Sequence, residues 1–137
     1  MKRLDYDTAR ECIESVFQHA RADGKPPVAV AVLDDHADVV AFGRMDGAPA
    51  RTVVIAMNKG YTAARMERDT HDYHKLLKEG GYELAWWSDP RFTALMGGVV
   101  IKDGGRAIAG IGVSGRSGEE DFELAEHGRG FVRQRLS

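Results

Sequence analysis

The chain is short of cysteine, of long apolar runs and of any excess of one charge. Cys12 is the sole cysteine among 137 residues. No intrachain disulfide can form, so stability has to come from packing, which suits a reducing compartment. The longest apolar run, Val28 to Leu33, falls far short of the roughly 20 residues that cross a bilayer. Lys plus Arg total 19 against 21 for Asp plus Glu, a formal charge of -2. That balance removes the footprint of a general nucleic-acid binder and of a polybasic membrane attachment. The opening Met1-Lys2-Arg3-Leu4-Asp5 has no apolar stretch of the signal-peptide kind. With 43% hydrophobic and 29% charged residues, the expectation is one cytoplasmic domain over residues 1–137, binding neither nucleic acid nor membrane.

What is present is clear periodicity. Thr8 to Ala22 places Ala9, Cys12, Ile13, Val16, Phe17 and Ala20 on one face of a helix. Thr8 with Glu11 resembles a capping box, and Gly24 is a stop. Cys12 lies in the apolar stripe and reads as a small buried hydrophobe. After Pro26-Pro27, Val28-Ala-Val-Ala-Val-Leu33 reads as a strand covered on both faces. A turn at Asp34–Asp38 and a second strand, Val39 to Met45, complete a hairpin. Ala50 to Glu67 is a helix with apolar residues on two opposite faces, which calls for a second covering layer, a subunit interface or a ligand pocket. Arg68 to Gly81 holds a short helix, and Tyr82 to Trp87 fits helix or strand. Asp103-Gly104-Gly105 between two apolar runs marks another hairpin, with a bulge expected at Gly110. Ser117 and Glu120 form a capping box for a last helix, Gly118 to about Arg135. The order α-β-β-α-α-β-β-α, with two hairpins, predicts an α+β fold on an antiparallel sheet.

Several groups carry chemistry. Lys59 has Ile55, Ala56, Thr62 and Ala63 as helical neighbours, so its ammonium is either paired with a carboxylate or turned to an anionic ligand. Desolvation there favours acid–base or Schiff-base work. Arg44 and Asp46 flank the end of the second strand and are expected to join Lys59 around one polar pocket. His71 and His74, spaced i, i+3 in Asp-Thr-His-Asp-Tyr-His, would lie on one side of a helix as metal or haem-iron ligands. His71 is also a candidate acid or base. The stretch Gly112-Val-Ser-Gly-Arg-Ser-Gly118 leads from a strand into a helix N-terminus, where backbone N–H groups can meet an anion.

Three segments taken together carry a resemblance. They are Val30-Ala-Val-Leu-Asp34 through Ala41-Phe-Gly-Arg-Met-Asp-Gly-Ala48; Lys59-Gly-Tyr-Thr-Ala-Ala64; and Gly97-Gly-Val-Val-Ile101 with Gly110-Ile-Gly-Val-Ser-Gly115 and Glu119-Glu-Asp121. In combination they resemble the GlcG/HbpS-like haem-binding proteins, a family related to the C-terminal domain of PduO-type corrinoid adenosyltransferases. The resemblance implies a profilin-like sheet of about five strands, homo-oligomers, and binding of haem or another tetrapyrrole with slow haem breakdown in some members. It carries Arg44, Asp46, Lys59, Gly97, Gly98 and Asp121 over as ligand-binding positions. The family's usual Gly-Gly in the first turn is His36-Ala37 here, its strand proline is Val100, and Glu120 stands where Gln is common. The alternative function is an enzyme of hydratase, isomerase or lyase type acting on a small anionic metabolite, with Arg44 holding its carboxylate and Lys59 or a histidine as acid or base.

Overall fold

The computed structural model describes residues 2–136. Helix α1 (Tyr6–Arg21) is followed by β1 (Ala29–Leu33), β2 (Val39–Arg44), α2 (Arg51–Met66), α3 (Thr70–Gly80), a short 3-10 turn (Leu84–Trp87), β3 (Gly98–Asp103), β4 (Arg106–Ser114) and α4 (Gly118–Leu136). The sheet is antiparallel throughout, in the order β2-β1-β4-β3. It therefore has four strands where the resemblance implies about five. The segment Tyr82–Trp87, fitting either element by pattern, spends its residues on the 3-10 turn and leaves the sheet no further strand.

The alternation in β1 explains the layering. Val30 and Val32 face one side and pack with Cys12, Val16 and Phe17 of α1 and Leu124 and Val132 of α4. Ala29, Ala31 and Leu33 face the other side, against Ala56, Tyr61 and Ala64 of α2. Strand β4 repeats the scheme with Ile111 and Val113 on the first face and Gly110 and Gly112 on the second. A Cβ on Gly112 would run into the Ala56 carbonyl oxygen, and one on Gly110 into that of Gly60. Glycine here lets the α2 backbone lie directly on the sheet.

The bulge falls at Ile108, not Gly110: Ile101 pairs with Ala109 and Lys102 with Ala107, leaving Ile108 extra. Ile108 and Ala109 both then reach the larger core, a phase change that the glycine at 110 mimics. The β3–β4 turn is Gly104-Gly105 with φ +60° and +82°, the two left-handed residues of a tight hairpin. Helix α1 begins two residues earlier than Thr8. Asp5 is its cap, its Oδ1 accepting from the Thr8 N–H at 2.7 Å, and Thr8 itself is buried. The box at Ser117 and Glu120 forms as expected, with reciprocal N–H bonds of 3.3 and 3.2 Å.

The second layer over α2 comes largely from the chain itself. Residues Lys59 to Ala64 are buried all round, with Phe92 against Tyr61 and the Thr93 N–H donating to Thr62 Oγ1. The two ends of α2 stay open, with Val54 exposed in the first turns and Arg65 in the last. Among the described residues no helix is long and apolar enough to cross a membrane.

Candidate functional site

The close approach of α2 to β4 drives Lys59 into the protein, where it is 3% exposed. Its Nζ donates to the Val113 carbonyl oxygen at 2.8 Å and to Asp121 Oδ2 at 3.0 Å. Asp121 sits in the first turn of α4, also 3% exposed at its side chain, and its Oδ1 accepts the Arg116 N–H at 3.0 Å. Burial pulls the Lys59 amine below its ordinary 10.5, opposed by the Asp121 charge. Burial likewise pushes the Asp121 carboxyl above 3.8, opposed by Lys59.

Gly97 is part of the same unit. At φ +125° a Cβ would come within 2.8 Å of Lys59 Nζ and 2.9 Å of the Val113 oxygen. Gly98 is pressed against the Lys59 carbonyl and Thr70, and its N–H donates to Thr70 Oγ1 at 3.0 Å. The structure thus gathers Lys59, Gly97, Gly98 and Asp121, drawn from three separate stretches of the sequence.

This unit forms one wall of a cleft of about 220 Å³, half open to solvent, between the first turns of α2, the segment before β3 and the start of α4. Ile55, Leu95 and Met96 supply apolar walls, and Arg51, Ser114 and Gly115 supply polar ones. Pattern reading misses Arg51 and Met96, and it singles out the Gly112–Gly118 stretch, of which Ser114, Gly115, Arg116 and Gly118 line the cleft, for its backbone N–H groups and not for the Ser114 hydroxyl. Ser114 was within reach, since it follows Gly110 and Gly112 at period 2 on the α2 face.

Arg44 and Asp46 stand apart from this cluster. Arg44 shares a row with Ala29 and Ser114, so it lies on the cleft's face of the sheet but two strands away, about 10 Å at ordinary strand spacing. Both are exposed, and neither forms an ion pair among the described residues. They do not join Lys59 in one pocket, because β1 lies between.

The histidines of α3 also separate. His74 is exposed, while His71 is half-buried, its ring edge-on to Phe122 at 4.8 Å. His71 groups with Asp69 and Asp72, whose ligating atoms lie within 4.8 Å of one another. Asp69 is already committed, accepting from Arg129 Nη1 at 2.8 Å and the Val100 N–H at 3.0 Å. Cys12 is buried against the Gly128 carbonyl, and burial pushes its thiol up to about 12, an inert thiol.

The model of the family described as "Haem degrading protein HbpS-like" matches residues 4–129. The chain belongs to the HbpS-like family. It is 34% identical to GlcG of Escherichia coli over 87 residues, 64% of this chain and 63% of GlcG. The crystal structure of a double mutant of HbpS from Streptomyces reticuli superposes with a TM-score of 0.84 at 28% identity, covering 95% of this chain and 87% of that one. The structure of a PduOC–haem complex has the same fold, with a TM-score of 0.85 at 24% identity over 94% of each chain. The haem of that complex is a property of PduOC, and the family model names haem degradation in its description.

Proposed function

We propose that this protein binds haem, or a related tetrapyrrole, at the cleft beside Lys59. The observation that carries the proposal is the HbpS-like match over residues 4–129, which spans every residue lining that cleft. The residues present suit one edge of such a group. Ile55, Leu95 and Met96 offer apolar contact, Arg51 offers a cation for a propionate, and the Met96 thioether is a soft donor for iron. A cleft of about 220 Å³ lies below the usual range for enclosing a drug-sized ligand, so the rest of the macrocycle would project from this protomer. Bound haem would supply iron redox chemistry, and slow haem breakdown is the finer part of the proposal. So is self-association, with exposed Val54 and Leu95 beside the cleft covered by another copy. His71, on α3 beyond Phe122, and His74 are the alternative iron ligands.

Titration of the protein with haemin tests the proposal. The expected result is a displaced, sharpened Soret band saturating at one haem per chain, with its position altered by Met96→Leu, or by His71→Ala if the imidazole is axial. An unaltered free-haemin spectrum at equimolar protein would remove it.

A further inference from the structure

The cleft holds more than the Lys59–Asp121 pair. Ser114 is only 6% exposed, and its strand register turns it to the α2 face, since it pairs with Ala29, a residue packed under α2. Its hydroxyl makes no hydrogen bond among the described residues, yet the residue lines the cleft. The hydroxyl oxygen is not itself shut away from solvent: among the described residues the buried side-chain polar atoms without a partner are His71 Nδ1 and the Tyr73 hydroxyl, so water or a ligand reaches Ser114 Oγ from the cleft. Lys59 has three N–H donors and spends two, on Val113 and Asp121. Arg51, at the first position of α2, has no ion-pair partner among the described residues. The first turn of α2 carries no acidic residue and no side-chain cap, so its positive dipole end is also unopposed. Arg116 contributes no free charge, being held by Asp23 at 2.7 Å and by the Pro26 and Ala20 carbonyls.

The charge count selects the ligand. Lys59 and Asp121 cancel, which leaves Arg51 and one net positive charge facing the cleft. That matches a monoanion, whereas a dianion would leave one charge uncompensated. The planar fork of Arg51 suits a carboxylate, and Ile55, Leu95 and Met96 suit a short carbon chain.

We propose that the cleft is a binding site for the carboxylate of a short, partly apolar acid, taken by the Ser114 hydroxyl, the third donor of Lys59 and the Arg51 guanidinium. Such a carboxylate is carried by a haem propionate or by a free short-chain acid. The site lies where the haem edge is placed above but does not depend on iron.

The test uses the full ¹⁵N-labelled chain titrated with sodium propionate and butyrate against sodium chloride at equal ionic strength. In parallel, haemin and haemin dimethyl ester are titrated by Soret absorbance. The expected result is saturable shifts of the Ser114 to Gly118 amides with the carboxylates and not with chloride. Ser114→Ala and Arg51→Ala should each weaken carboxylate binding about tenfold or more, the loss of a hydrogen bond to a charged group, without lowering the melting temperature. If haem is the source, haemin binds at least tenfold more tightly than its ester and propionate competes with it. If a free acid is the source, the amides shift while haemin leaves no Soret change, which keeps the carboxylate site and removes haem binding. The proposal is overturned if propionate and butyrate give no saturable shift and haemin and its ester bind alike, or if neither variant changes carboxylate binding.

Discussion

Replacing Asp121 by asparagine would leave the Lys59 ammonium, 3% exposed, with carbonyl acceptors but no counter-charge. Breaking a buried pair by removing one partner costs about 3–5 kcal/mol. The ionisation limit gives the same size. An orphaned lysine can lose its proton, and doing so at pH 7 against an ordinary value of 10.5 costs at most about 5 kcal/mol, at about 1.4 kcal/mol per pH unit. The mirror variant, Lys59→Met, strands Asp121, whose protonation at pH 7 against 3.8 costs at most about 4 kcal/mol. The signs of the pH dependence are opposite. In Asp121→Asn the unfolded chain holds a proton that the folded one has lost, so stability rises with pH up to the ordinary lysine value. In Lys59→Met the folded chain keeps a proton that the unfolded one has released, so stability rises as pH falls toward 3.8. The double variant Lys59→Met/Asp121→Asn strands neither charge and should cost less than either single one. Urea unfolding followed by circular dichroism between pH 5 and 9 reads all three; with an m-value of about 2 kcal/mol per molar, each single variant loses about 2 M in midpoint at pH 7. Single variants with midpoints flat in pH, or a double variant as costly as the two singles added, would refute the buried-pair reasoning.

Other outcomes follow from particular contacts. Gly112→Ala forces a methyl into the Ala56 carbonyl and should lower stability by about 1–3 kcal/mol or more, read as a drop in melting temperature. Ser88 holds φ +60° on an exposed turn, so Ser88→Gly should raise stability by up to about 1 kcal/mol; a lower melting temperature would count against left-handed strain there. Cys12, with its thiol pushed up to about 12 by burial, should react with iodoacetamide at pH 8 only on unfolding. Labelling of the native chain as fast as in urea would show the α1–α4 seam to be open.

Signals written in consecutive residues are legible in the sequence alone. The Val/Ala alternation of β1 sets its two faces, Gly104-Gly105 set the turn, and Ser117 with Glu120 set the start of α4, because each depends on neighbours a few residues away. The order of elements and the family resemblance follow, as do Lys59 and Asp121 as matched positions, though not the contact between them. Inferences across distance fail. Arg44 and Asp46 adjoin α2 in sequence, which groups them with Lys59, but pairing of β1 with both β2 and β4 sets β1 between them. Glycine at 110 imitates a bulge that lies at Ile108, since one pattern of small and large residues serves a phase shift or a close helix contact. The second cover on α2 is legible as a need but not as the segment around Phe92 and Thr93 that meets it.

The amino-acid order by itself determined the helices, the two hairpins and the faces each element would bury, since periodicity and turn chemistry are properties of short stretches. Only the tertiary structure decided that a lysine from α2, a glycine before β3 and an aspartate from α4 share one buried point, and that Ser114 and Arg51 open beside it. That decision belongs to packing: Gly60, Gly98, Gly110 and Gly112 let a helix backbone touch the sheet, and the approach fixes which distant side chains are shut away from water together.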